Sequence, residues 1–66
     1  MSVAKVIEIL AQSDKSWEDA TQNAVTAAAR SVRNIKTVYV EDMQAIVEDD
    51  KIVGYRVNTK ISFVVE

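Results

Sequence analysis

Arg56, Asn58, Lys60 and Ser62 occupy every second position in the stretch from Tyr55 to Val65. In an extended segment, alternate residues share a face. One surface would therefore carry a guanidinium, an amide, an ammonium and a hydroxyl. The planar fork of Arg56 suits a phosphate or carboxylate. The structural alternative, which we favour, pairs Arg56 with Glu41 or Asp42 across a strand pair or an interface, and uses Asn58 and Lys60 for polar contacts between subunits. The acids fall in two groups, Glu41-Asp42 and Glu48-Asp49-Asp50. Carboxylate oxygens suit a hard cation, which takes about six to eight oxygen ligands. Neither group has the spacing of an EF-hand loop. Neighbouring acids on a strand point to opposite faces, so Glu41 and Asp42 can share an ion within one chain only if a bulge intervenes. Glu48-Asp49-Asp50 reads first as a solvated turn.

Other chemistries are excluded by composition. The 66 residues contain no histidine and no cysteine, which removes the usual general base, the thiol nucleophile and thiolate zinc sites. No pair of the remaining carboxylate, lysine or tyrosine side chains stands at a spacing that suggests a reaction, so the chain is expected not to be an enzyme. Eight basic and ten acidic residues give a net charge of −2, without the basic patch that nucleic acid requires. No apolar run is long enough to cross a membrane, and the start has no leader pattern. A cytoplasmic protein with one domain, residues 1–66, is the expectation. So short a chain buries only about 60% of its unfolded surface. With no disulfide to support it, assembly with further copies is the support left by elimination.

The elements that position these groups follow from periodicity. Val3 to Ala11 reads as a first strand, with Lys5 and Glu8 on opposite faces. Gln12 to Lys15 reads as a loop. Ser16 opens a helix in capping-box fashion with Asp19, and Glu18 and Asp19 favour its positive end. Trp17, Ala20, Ala24, Val25, Ala28 and Val32 form a thin apolar stripe, with Arg30 and Arg33 expected in the last turn. Trp17, the one bulky member, should fill a core or a subunit seam. Lys36 to Val47 is the second strand, with Val38, Val40 and Ile46 on one face. Thr37, Tyr39, Glu41, Met43, Ala45 and Val47 take the other, and a bend is expected near Glu41 to Gln44. Glu48 to Lys51 turns into the third strand, with Gly54 marking a bulge or a close approach. Tyr55, Val57, Thr59, Ile61 and Phe63 form its core face. The order β-α-β-β predicts an α+β fold: a three-stranded antiparallel sheet, order 1-3-2, wrapped on one helix. One helix covers one sheet face. The other face needs a partner or a ligand.

The chain resembles the dodecins, small β-α-β-β proteins that assemble into hollow homododecamers. The resemblance is carried by Lys5-Val6-Ile7-Glu8-Ile9 and by Ser13 through Ser16-Trp17-Glu18-Asp19-Ala20. It continues in Ala28-Ala29-Arg30-Ser31-Val32-Arg33-Asn34-Ile35 and from Tyr55-Arg56-Val57 to Ser62-Phe63. It implies a non-enzymatic homododecameric shell that binds or sequesters a small ligand or cation.

The same resemblance weighs against tight flavin binding. Flavin-binding dodecins stack isoalloxazine rings on a tryptophan whose position here is Thr37, which has no π-face; such stacking is worth about 0.5–1.5 kcal/mol beyond area. The family's ring-edge glutamine aligns with Arg56, which only donates, and an arginine of several members aligns near Gln44. Trp17 lies on the helix, away from that site. The chain is closer to a tryptophan-less branch that includes a calcium-binding dodecin, so calcium is the candidate cation. Asp42, with Glu41 beside it, is the candidate ligand, brought together with its copies at a symmetry axis. Related dodecins place an acid at the Asp42 position near their ion channels, while the acid that accompanies it is Lys15 here. A flavin-storing dodecin for riboflavin or FMN, with weakened or altered binding, is the alternative.

Overall fold

The computed structural model describes residues 3–65. Met1, Ser2 and Glu66, which the expected domain and the reading of the N-terminus include, lie outside the described residues. The chain runs β1 (Val3–Ser13), α1 (Trp17–Ala28), β2 (Ile35–Glu48) and β3 (Lys51–Val65). The strands form one sheet in the order β1-β3-β2, with β3 antiparallel to both neighbours. This is the α+β arrangement that the order of elements predicts.

β3 is the centre of the molecule because both of its edges are paired and its odd-numbered residues meet the helix. Val57, Thr59 and Ile61 are fully buried, as are Ala20 and Ala24, with Ala28 almost so. Alanine leaves no side-chain bulk to hold the helix off the sheet, so α1 lies close over β3. Ile7, Ile9, Ala11, Val32, Ile35 and Val38 pack around this contact. Among the described residues Thr59 is the one buried polar residue, and its hydroxyl donates to the Ile9 carbonyl at 2.8 Å. That bond meets the requirement that a buried polar group be paired.

Local chemistry sets the element ends. Ser16 is extended and its hydroxyl accepts from the Asp19 amide at 2.9 Å. The reciprocal half of the expected capping box is replaced. The Asp19 carboxylate accepts instead from the Ser13 hydroxyl at 2.6 Å, tying the helix start to the end of β1. The helix ends at Ala28, so Arg30 and Arg33 lie beyond its last turn, contrary to expectation. There the Arg30 and Ser31 amides turn back tightly onto the Ala27 and Ala28 carbonyls. Asn34, at φ 62°, then reverses the chain into β2. Asp49 and Asp50, at φ 51° and 63°, form the two-residue turn between β2 and β3, the left-handed pair that matches strand twist.

Two further corrections concern the strands. β1 continues through Gln12 and Ser13, which were expected in a loop. In β2 the register shifts between Val40 and Asp42, leaving Glu41 as the extra residue. The bulge falls in the bend expected from sequence, and it exchanges the faces beyond it. Asp42 pairs with Asn58 and Gln44 with Arg56 on the outer face, while Met43 and Ala45 pair with Val57 and Tyr55 on the helix side. Two further shifts fall between Ile35 and Thr37 and between Ile46 and Val47, the latter adjoining Gly54. Gly54 has an ordinary φ; a Cβ there would lie 3.2 Å from the Ile46 Cδ1, so the glycine serves close approach.

Candidate functional site

The candidate site lies on the outer face of the sheet. It is the face α1 does not cover, and it presents alternate residues of all three strands: Val6, Glu8, Leu10 and Gln12 from β1, Arg56 to Ser62 from β3, and Thr37, Tyr39, Asp42 and Gln44 from β2. Val6, Leu10 and Tyr39 are large apolar side chains left 58%, 62% and 64% exposed there. Beside them, Leu10, Asp42, Gln44, Arg56 and Asn58 line a hollow of about 240 Å³.

Three of the sequence-predicted residues, Asp42, Gln44 and Arg56, thus meet in one place. Thr37 does not join them. It pairs with Ser62, six residues along β3 from Arg56, which at strand rise is about 20 Å away. The Thr37 and Ser62 hydroxyls hydrogen-bond to each other. A pocket containing both Thr37 and Arg56 therefore needs a second copy of the chain.

The polar partners differ from those expected. Among the described residues, Arg56 bonds no acid. Its Nε and Nη2 both donate to the Gln12 Oε1, at 2.8 and 2.5 Å. Gln12 is the site residue that sequence reasoning missed. The alternation Val6, Glu8, Leu10 would have reached it had β1 been carried two residues further. Glu41 pairs instead with Lys60, at 3.0 Å. The Glu41 carboxylate, by hydrogen bond and charge, holds the Lys60 ammonium above its ordinary pKa, with Glu8 adding to the effect. The bulge supplies the condition under which Glu41 and Asp42 share a face, because Glu41 reaches Lys60 and Asp42 lines the adjoining hollow.

A calcium ion does not fit the groups of one chain. Among the described residues, no three acids gather closely enough to hold a metal. Glu41 is already engaged by an ammonium, and the Arg56 guanidinium shares the hollow with Asp42. Asp42, the one carboxylate among the described residues that line the hollow, falls far short of the roughly six to eight oxygens a calcium ion takes. Trp17 lies on the other side of the sheet, where its indole Nε1 donates to the Gln44 carbonyl at 3.1 Å and its ring meets Tyr55 edge to face, at 4.8 Å between centroids. It has no exposed place on the outer face from which to stack a ligand.

One helix over a three-stranded sheet, with a mixed apolar and polar outer face left uncovered, is the architecture that comparison with known proteins places. The chain belongs to the dodecin family, whose model matches residues 3–66. It is 38% identical over 63 residues to the calcium dodecin of Mycobacterium tuberculosis, covering 96% of this chain and 89% of that one. The crystal structure of calcium dodecin from that organism, described as calcium-chelating with a novel calcium-binding site, superposes with a TM-score of 0.83 at 35% identity, covering 98% of this chain and 93% of that one. A Thermus thermophilus dodecin variant superposes more closely, with a TM-score of 0.92, but at 23% identity, covering 100% and 98%. That second likeness is one of fold alone.

Proposed function

We propose that this chain is the subunit of a non-enzymatic, homododecameric shell that binds or sequesters a small ligand or cation, with calcium as the candidate ion. The observation that carries the reading is the bare outer face. Val6, Leu10 and Tyr39 stand exposed there around a polar hollow, and an apolar sheet face costs free energy until it is covered. The shape argues the same way. The radius of gyration is 13.5 Å, against about 11 Å for a compact chain of this length. In such a shell Asp42 would contribute one carboxylate from each of several copies, which overcomes the shortage of ligands within one chain. Similarity to calcium dodecin supports calcium over other ions.

One observation favours a second reading, a flavin-binding or flavin-storing dodecin with altered binding. Tyr39 is an exposed aromatic two residues from Thr37 on the same face, and it offers the π-surface that Thr37 lacks. Light scattering on the purified protein, followed by separate titrations with calcium, riboflavin and FMN, tests both. The expected result is a twelve-chain particle that takes up calcium, loses that uptake in Asp42→Asn, and leaves flavin fluorescence unquenched. A monomeric mass overturns the shell. Quenching that disappears in Tyr39→Leu replaces calcium with flavin.

A further inference from the structure

Arg56 stands between two edge strands, and the helix holds each of them at the residue opposite Arg56. On one side the Trp17 indole donates to the main-chain carbonyl of Gln44, the β2 residue paired with Arg56. On the other the Asn23 side-chain amide donates to the main-chain carbonyl of Gln12, the β1 residue paired with Arg56, at 2.9 Å. Gln12 in turn receives two of the guanidinium N–H groups on its side-chain oxygen, and Gln44 lines the hollow beside Arg56. Tyr55, the residue before Arg56, meets the Trp17 ring edge to face. Trp17 and Asn23 lie six residues apart on one helix, yet each reaches a different edge of the sheet.

From this arrangement we infer that Trp17 and Asn23 are positioning residues for Arg56. They clamp Gln44 and Gln12 from behind the sheet and so set where the guanidinium sits on the outer face. Two side-chain bonds onto strand carbonyls at the same level of the sheet restrain the distance between β1 and β2 across β3. Arg56 is bonded to a side chain of one restrained strand and packed beside the other. The helix thus acts on a surface it does not touch. The consequence for ligand binding rests on the reading of the outer hollow as the ligand face; the clamp itself does not.

The test uses assembled protein and the variants Trp17→Phe and Asn23→Ala. The first keeps an aromatic ring against Tyr55 but removes the indole N–H together with its five-membered ring; the second removes the amide. Amide hydrogen exchange is followed by segment, and the Arg56 Nε–H is followed in nitrogen-edited spectra. Losing one such bond is expected to raise local exchange about five-fold. The rise should fall around Gln44 in Trp17→Phe and around Gln12 in Asn23→Ala, with the segment about Ile61 unchanged. The Arg56 Nε–H signal should shift or broaden in both. Uniformly faster exchange through the sheet, or an unmoved Arg56 signal, overturns the assignment, since a merely structural role predicts the first and an independent guanidinium the second. Calcium titration of the same samples reports separately. Wild-type protein that takes up no calcium counts against the proposed cation, while the exchange and Arg56 readouts still decide the clamp.

Discussion

Arg56 and Lys60 sit four residues apart on one face of β3, and they found different partners for a geometric reason. The bulge at Glu41 swings a carboxylate to Lys60, while the extension of β1 puts Gln12 opposite Arg56. Lys60 carries a raised pKa through its hydrogen bond and attraction to Glu41, with Glu8 contributing. The pair's stabilisation is therefore fully present below the ordinary lysine value, about 10.4, and is lost as pH rises through the raised value. Thermal unfolding followed from pH 9 to 12 should show this alkaline loss reduced in Glu41→Gln. An exposed pair contributes little, so the difference in profile is the readout. Thr37 and Arg56 are the residues from which weak flavin binding is expected. Replacing both, as Thr37→Trp with Arg56→Gln, should tighten flavin binding, read by quenching, about two- to ten-fold over the starting protein, roughly the effect of one stacked aromatic pair.

At the level of elements, the turn between β2 and β3 holds the clearest local strain. Asp49 and Asp50 both adopt left-handed backbone, a conformation that costs a residue with a Cβ about 1–2 kcal/mol, less for aspartate. Asp50→Gly removes that cost and adds about 0.5–1 kcal/mol of unfolded-state entropy. A net stabilisation of roughly half a kcal/mol is expected, read as a higher urea midpoint at unchanged slope. The elements themselves were legible where periodicity was strong. Tyr55 to Val65 alternates cleanly because β3 is paired on both edges and packed on one face. β2 misled beyond Val40 because an extra residue reverses every later side chain, and residue types near Glu41 show a bend without showing its phase.

For the whole molecule, the core is a narrow line of three alanines against Val57, Thr59 and Ile61, and the principal extents are 51, 19 and 14 Å. A body of this form buries little of its surface within one chain, and the proposed shell would cover its exposed apolar face. Leu10→Lys, which places a charge in the middle of the outer face, is expected to reduce the particle mass measured by light scattering. It should also make the melting temperature depend on protein concentration. An unchanged mass would move the contact between copies away from this face.

The sequence by itself determined the elements, their order, the central position of β3 and the face the helix covers. Each of these follows from local periodicity, end-capping residues and the rules of chain connection. It also marked Asp42, Gln44 and Arg56, which the sheet gathers into one hollow. Only the tertiary structure decided who bonds to whom. Gln12 reaches Arg56, Glu41 reaches Lys60, and Trp17 reaches the Gln44 carbonyl, across separations of 44, 19 and 27 residues. Such contacts depend on strand register, and register here turns on shifts along β2, above all the bulge at Glu41, whose phase the residue types do not show.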